Sequence, residues 1–179
     1  MNWNLDAFGN IADIIAVPIA IIGVGFLARQ MYLSRIEDKS EHLKRQKEAT
    51  LNAYNLVRDD LSERTGKIRK KLNLKDMYTK FTHNEVKKIH EDEKLRIEMP
   101  IVLGIFERFS IGVQHGVYNR DLISDLSGNV FINTYRQFEP YIQDVRREFG
   151  YNVYNGFEQL TKELEYIREV KNRKNMLIE

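Results

Sequence analysis

The 179-residue chain contains no cysteine, three prolines and a single tryptophan. Without cysteine there is no disulfide framework, no thiolate metal site and no cysteine nucleophile. The few prolines, Pro18, Pro100 and Pro140, leave long stretches in which a helix can run unbroken. No charge of one sign dominates either: 28 basic against 26 acidic side chains leave a formal charge of +2, far from the basic surplus of a nucleic-acid binder. Nucleic acid is therefore not the expected partner. With 42% hydrophobic and 30% charged residues the composition is that of a globular chain, long enough for one domain with a core plus an appendage.

Long hydrophobic runs are also absent, with one exception. Between Asp13 and Arg29 lie fifteen uncharged residues, IIAVPIAIIGVGFLA. As a helix they rise only roughly 22 Å, short of a ~30 Å hydrocarbon core. Counting from Ile11, with Asp13 near one interface and Arg29 snorkelling at the other, closes the deficit, and Trp3 and Tyr32 bracket the run as interfacial aromatics do. The alternative is a core helix of a soluble fold. A cleavable signal peptide fits worse, since no basic residue precedes the run. Residues 1–28 carry two acids and no base, whereas Arg29, Arg35, Lys39, Lys44, Arg45 and Lys47 follow. The positive-inside rule then puts the N-terminus outside and the remainder in the cytoplasm, on a single-pass anchor of the cytoplasmic (inner) membrane.

Within the run Ala12, Ala16 and Ala20, continued by Gly23, make a face of small side chains that permits close helix approach and homo-oligomerisation, and Pro18 predicts a kink. The expected organisation is a membrane anchor over 1–33 with its span at about 11–28, a stalk helix over 34–49 and a helical cytoplasmic domain over 50–179. Positions Thr50, Tyr54, Val57, Leu61 and Ile68 carry an apolar seam; the line of Thr50 and Val57 continues back through Leu43 and Ile36, but the line of Tyr54, Leu61 and Ile68 meets Lys47 and Ser40. That suits a helix packing on its own domain from about Thr50 onward better than a sustained coiled coil.

Arg64, Lys67, Arg69, Lys70, Lys71, Lys75 and Lys80 face a single acid, Asp76, in the next stretch. This basic patch could meet nucleic acid, a phosphorylated ligand or lipid, or be a solvated helix end. Asn73 to Thr82 reads as a loop, and His83 to Arg96 as one charged helix closed by Pro100. Val102, Phe106, Phe109 and Val113 share a helical face, and Asn119 reads as an N-cap. Ser127-Gly128 predicts a break. Phe131, Tyr135, Phe138, Ile142, Val145 and Phe149 recur in steps of three and four, with a bend or junction expected at Pro140 and an end at Gly150; Phe157, Leu160, Leu164 and Ile167 make a last helix. No strand pattern competes, so the expected fold is all-α: an N-terminal transmembrane helix, a long connecting helix and an antiparallel helical bundle.

Three runs, LGIFERFSIGVQHGVYNRDLI from Leu103, FINTYRQFEPYIQDVRREFG from Phe131 and YNGFEQL from Tyr154, carry a resemblance. Over roughly Thr50 to Arg168 the chain resembles the bacterial helical family known as domain of unknown function 4760. The resemblance implies a helical cytoplasmic module, often preceded by a membrane helix, and no activity. Its motifs here are Phe106-Glu107, His115-Gly116, Pro140-Tyr141-Ile142 and Arg146-Arg147.

A polar cluster of Glu107, Arg108, His115, Tyr118 and Arg146 lies near these apolar faces. Paired buried charges fix helix register, so Glu107 is expected to pair with Arg146 or Arg108. A catalytic reading rests on Arg108 and His115, whose Arg-x6-His spacing falls in the loose pattern of HEPN-type helical ribonucleases, where a cation steadies phosphate and histidine moves a proton. The same spacing recurs at Arg35 and His42, and Phe109 stands where a polar residue is usual. Gly66-Lys67 lacks the rest of a phosphate-binding loop, and His83 with His90 lacks a third metal ligand. No metal, cofactor or catalytic set is expected. The reading is a non-enzymatic, membrane-anchored interaction module that self-associates and meets a protein partner of unknown identity; the alternatives are a membrane-disrupting effector of bacterial stress or phage defence, and the ribonuclease.

Overall fold

A computed structural model describes residues 5–76 and 78–176, with side chains described at 26–76, 78–174 and 176. Five helices follow one another: α1 Leu5–Leu72, α2 His83–Glu91, α3 Glu93–Gln114, α4 Arg120–Phe149 and α5 Asn155–Met176. Among the described residues there is no strand, so the chain is all-α. It divides into two compact units, Met1–Lys44 and Arg45–Glu179, with the boundary inside α1.

In the first unit α1 is helical from Leu5, and Phe26, Leu27, Met31 and Tyr32 are well exposed. Among the described residues no helix is long and apolar enough to cross a membrane. The expected span has its side chains over 11–25 outside the described ones, and so do Ala12, Ala16, Ala20 and Gly23, Trp3 and the kink expected at Pro18.

In the second unit the polar contacts fix helix direction. Gln46 meets Gly116 and Arg64 meets Glu98, so α1 and α3 run antiparallel. Arg146 meets Glu158, Arg136 meets Glu165 and Lys171 meets Asp125, which makes α4 and α5 antiparallel as well. The core between them is aromatic: Phe106 stacks on Phe157 at 4.7 Å, and Phe131 meets Phe106 edge-on at 4.8 Å. The seam of α1 is half-buried at Tyr54, Val57 and Leu61 and fully buried at Thr50 and Ile68, so α1 packs on its own domain from about Thr50.

Four local expectations are corrected. His83 to Arg96 is two helices, because Asp92 ends α2 in an extended conformation and its carboxylate accepts from the Leu95 N–H at 3.0 Å to start α3. Pro100 then lies inside α3 rather than closing it, on the exposed side of the helix. Ser127-Gly128 does not break α4, which is one helix from Arg120 to Phe149, and of the bend or junction expected at Pro140 the junction is absent. A Cβ at Gly128 would meet the Arg168 guanidinium of α5 at 3.4 Å, an ordinary contact. The apolar stripe of α4 also stops short, since Phe149 is 70% exposed. The loop at 73–82, the N-cap Asn119 and the end at Gly150 are as the sequence predicts.

Candidate functional site

The polar cluster expected from sequence is not one site but two. Glu107 does not pair with Arg146. Its carboxylate accepts the Gly156 and Phe157 N–H groups at 3.0 and 2.6 Å, which caps the exposed backbone of the α5 N-terminus from α3. Gly156 permits this approach, for a Cβ would stand 3.0 Å from Glu107 Oε1. Arg146, nearly buried, reaches the same helix start: Nε donates to the Val153 carbonyl at 2.9 Å and Nη1 to Glu158 at 2.6 Å. Nη2 of Arg146 is buried without a partner. Lys162 and then Arg146 hold the Glu158 carboxyl down at about 2. Burial pushes the Tyr135 hydroxyl, which faces Glu158, well above its ordinary range. Glu107, Arg146 and Glu158 thus bolt α3, α4 and α5 together around the Phe106–Phe157 stack.

Arg108, His115 and Tyr118 belong elsewhere. Arg108 is exposed and its Nε donates to the Gly104 carbonyl of its own helix at 3.3 Å. His115 is the exposed C-cap of α3. Tyr118 lies on Phe109, with ring centroids 5.2 Å apart, and covers Gly112 so closely that a Cβ there would be 2.3 Å from the ring. This turn docks on α1. Gln46 Nε2 donates to the Gly116 carbonyl at 2.5 Å, and the Asn119 N–H donates to the Thr50 hydroxyl at 2.8 Å. Thr50, fully buried, passes its own proton to the Gln46 carbonyl at 2.7 Å.

The basic patch is largely paired. Arg64 holds Asp60 at 2.8 Å and Glu98 at 2.6 Å, Lys67 holds Glu63 at 2.6 Å, Lys71 holds Asp92 and Lys80 holds Glu139 at 2.5 Å. The two carboxylates raise the Arg64 pKa, Glu63 raises that of Lys67, and Lys71 lowers that of Asp92. Lys70 is exposed. Arg69 differs from all of these. It is half-buried, its Nε is buried without a hydrogen-bond partner, and desolvation alone lowers its pKa.

Arg69 borders a cavity of about 290 Å³ where α1, α3 and α4 stand apart. Its apolar walls are Val57 and Leu61 of α1, Phe106 and Phe109 of α3, and Val130 and Phe131 of α4. α1 is fastened on both sides of the gap, by Gln46 and Thr50 at one end and by buried Ile68 and Leu72 with the Arg64–Glu98 pair at the other. Nothing in the sequence marks Arg69 out from its basic neighbours. Ser127 and Thr134, which also line the cavity, read as a helix break and as an unremarked polar residue. Among the described residues no group of three or more metal-ligating side chains forms.

The family motifs gain a physical meaning here. Phe106-Glu107, Arg146 and the Tyr154-to-Leu160 run meet at the α5 start, and His115-Gly116 makes the turn that docks on α1. Tyr141 lies beside His90, ring centroids 5.5 Å apart, while Ile142 is fully buried. No curated protein and no solved structure matches this chain. A family model does, over residues 14–164, starting in the apolar run rather than at Thr50. The chain belongs to the family described as a domain of unknown function, DUF4760.

Proposed function

We propose that the chain is a single-pass, membrane-anchored helical interaction module, with its N-terminus outside and residues 50–179 in the cytoplasm, acting through self-association and protein contacts rather than catalysis. The observation that carries this reading is the exposure of Phe26, Leu27, Met31 and Tyr32, between 59% and 66%, next to the uncharged run. So much apolar surface on one helix is unfavourable in water and calls for an apolar cover. A helix continuous from Leu5 supplies the length that fifteen residues lack: Leu5 to Leu33 spans roughly 43 Å, more than a ~30 Å hydrocarbon core. The family match supports the same reading, since it begins at Ile14 and takes in the run together with the helical body.

Alkaline carbonate extraction of membranes from cells expressing a C-terminally tagged chain tests the anchor, and protease access to the tag tests its orientation. Retention in the pellet with the tag protected in intact spheroplasts is the expected result. Release into the carbonate supernatant overturns the anchor; a tag cleaved in intact spheroplasts overturns the orientation.

A further inference from the structure

The cavity between α1, α3 and α4 is independent of the membrane reading and has a chemistry of its own. Its walls are apolar, and the charged side chains on its lining, Arg58 and Arg69, are both basic. Arg58 is exposed beside its neighbour Asp59, at 3.0 Å, whereas no carboxylate reaches Arg69. A guanidinium carries its charge at any physiological pH, and Arg69, half-buried on the lining with no carboxylate partner, offers that charge to an anion. Burial is the one cause of its lowered pKa, with no carboxylate acting on it.

Size and polarity narrow the occupant. At about 290 Å³ the space lies at the lower edge of the roughly 300–1,000 Å³ of small-molecule sites. It is about twice the ~150 Å³ in which an apolar cavity holds benzene. There is room for a short apolar chain and little for a bulky head. Because α1 runs antiparallel to α3, and α3 turns back into α4 through residues 115–119, α1 and α4 run parallel. Thr50 bonds the N-cap Asn119, so Thr65 stands level with Thr134, and Arg69 one turn beyond, at the polar end of the cavity. Tyr54, Val57 and Ser127 lie toward the other end. The Thr65 hydroxyl is already committed to the Leu61 carbonyl at 2.7 Å, which leaves Arg69 as the group that recognises charge.

We infer that this cavity binds a small carboxylate amphiphile, of the class of medium-chain fatty carboxylates, with its apolar chain among Val57, Phe109 and Val130 and its carboxylate on Arg69.

Calorimetric titration of the full-length protein in lipid nanodiscs tests it, with decanoate as probe, decanol as the uncharged chain and acetate as the chainless charge, each against empty nanodiscs. Decanoate is expected to bind saturably at one per chain, at least about tenfold more tightly than decanol, and acetate not at all. Arg69→Met should remove that preference, weakening decanoate about tenfold while leaving decanol unchanged. Val130→Phe, which fills the space from α4, should abolish both. A variant that fails to fold is recognised by its helical circular dichroism, and the wild-type comparison of decanoate with decanol still decides. Absence of saturable decanoate uptake, equal affinity for decanoate and decanol, or undiminished decanoate binding to Arg69→Met overturns the site.

Discussion

Two helix junctions in the second unit are built from the same materials and end differently. At the start of α5 an arginine, two glutamates and a phenylalanine stack close the space between three helices, and the charge of Arg146 is met by Glu158 at 2.6 Å. Between α1, α3 and α4 phenylalanines and an arginine are again present, yet a cavity of about 290 Å³ remains and Arg69 meets no carboxylate. A buried ion pair contributes little net stability but is costly to break, whereas a half-buried cation without a carboxylate is partly desolvated with nothing to offset it. The first arrangement specifies how helices meet. The second is tolerated by the fold and suits a ligand that supplies the missing charge.

Breaking the closed junction should cost most. Phe157→Ala removes a fully buried ring that stacks on Phe106, and about 3–5 kcal/mol of stability should be lost in urea unfolding. Acid should open the same junction. The Glu158 carboxyl sits at about 2 in the folded protein against an ordinary value of 4.5. Because the folded value is the lower, its contribution is whole above pH 4.5 and is lost as the pH falls toward 2. The difference in Tm between the wild type and Glu158→Gln should therefore shrink over that window. Glu107→Gln keeps the shape and removes the charge that caps α5, so a smaller loss of about 1 kcal/mol is expected in the same urea titration. The cavity should answer differently to added volume. Gly156→Ala, in the closed junction, pushes a Cβ onto Glu107 and should cost about 1 kcal/mol, whereas Val130→Phe should stay within about 0.5 kcal/mol of the wild type because it grows into space.

Much of the helical layout was legible because it rests on periodicity. The faces of α3 and α5, the seam of α1 from Thr50 and the caps at Asn119 and Gly150 follow from spacing and cap chemistry that act within one helix. The misreadings share a cause: Pro100 and Ser127-Gly128 are breakers by local propensity, and tertiary placement overrides it. Pro100 lies on the exposed side of α3, and Ser127 and Gly128 are buried inside α4. Glu107 and Arg146 were recognisable as polar groups near apolar faces, but their true partners, the α5 backbone and Glu158, lie 49 and 12 residues away with no spacing signal. Arg69 was hidden among six other bases, for only the surrounding fold separates an arginine with a carboxylate from one without.

The most direct test of this contrast is the Tm of Arg69→Met beside that of Arg146→Met, measured on full-length protein in the same nanodiscs without added ligand. Arg146→Met leaves Glu158 without its buried partner and should lower Tm by roughly 10 °C. Arg69→Met removes a cation that nothing neutralises and should leave Tm unchanged or raise it by a few degrees, on the order of 1–4 °C. A comparable fall in both would contradict the account, since Arg69 would then be a structural arginine like Arg146.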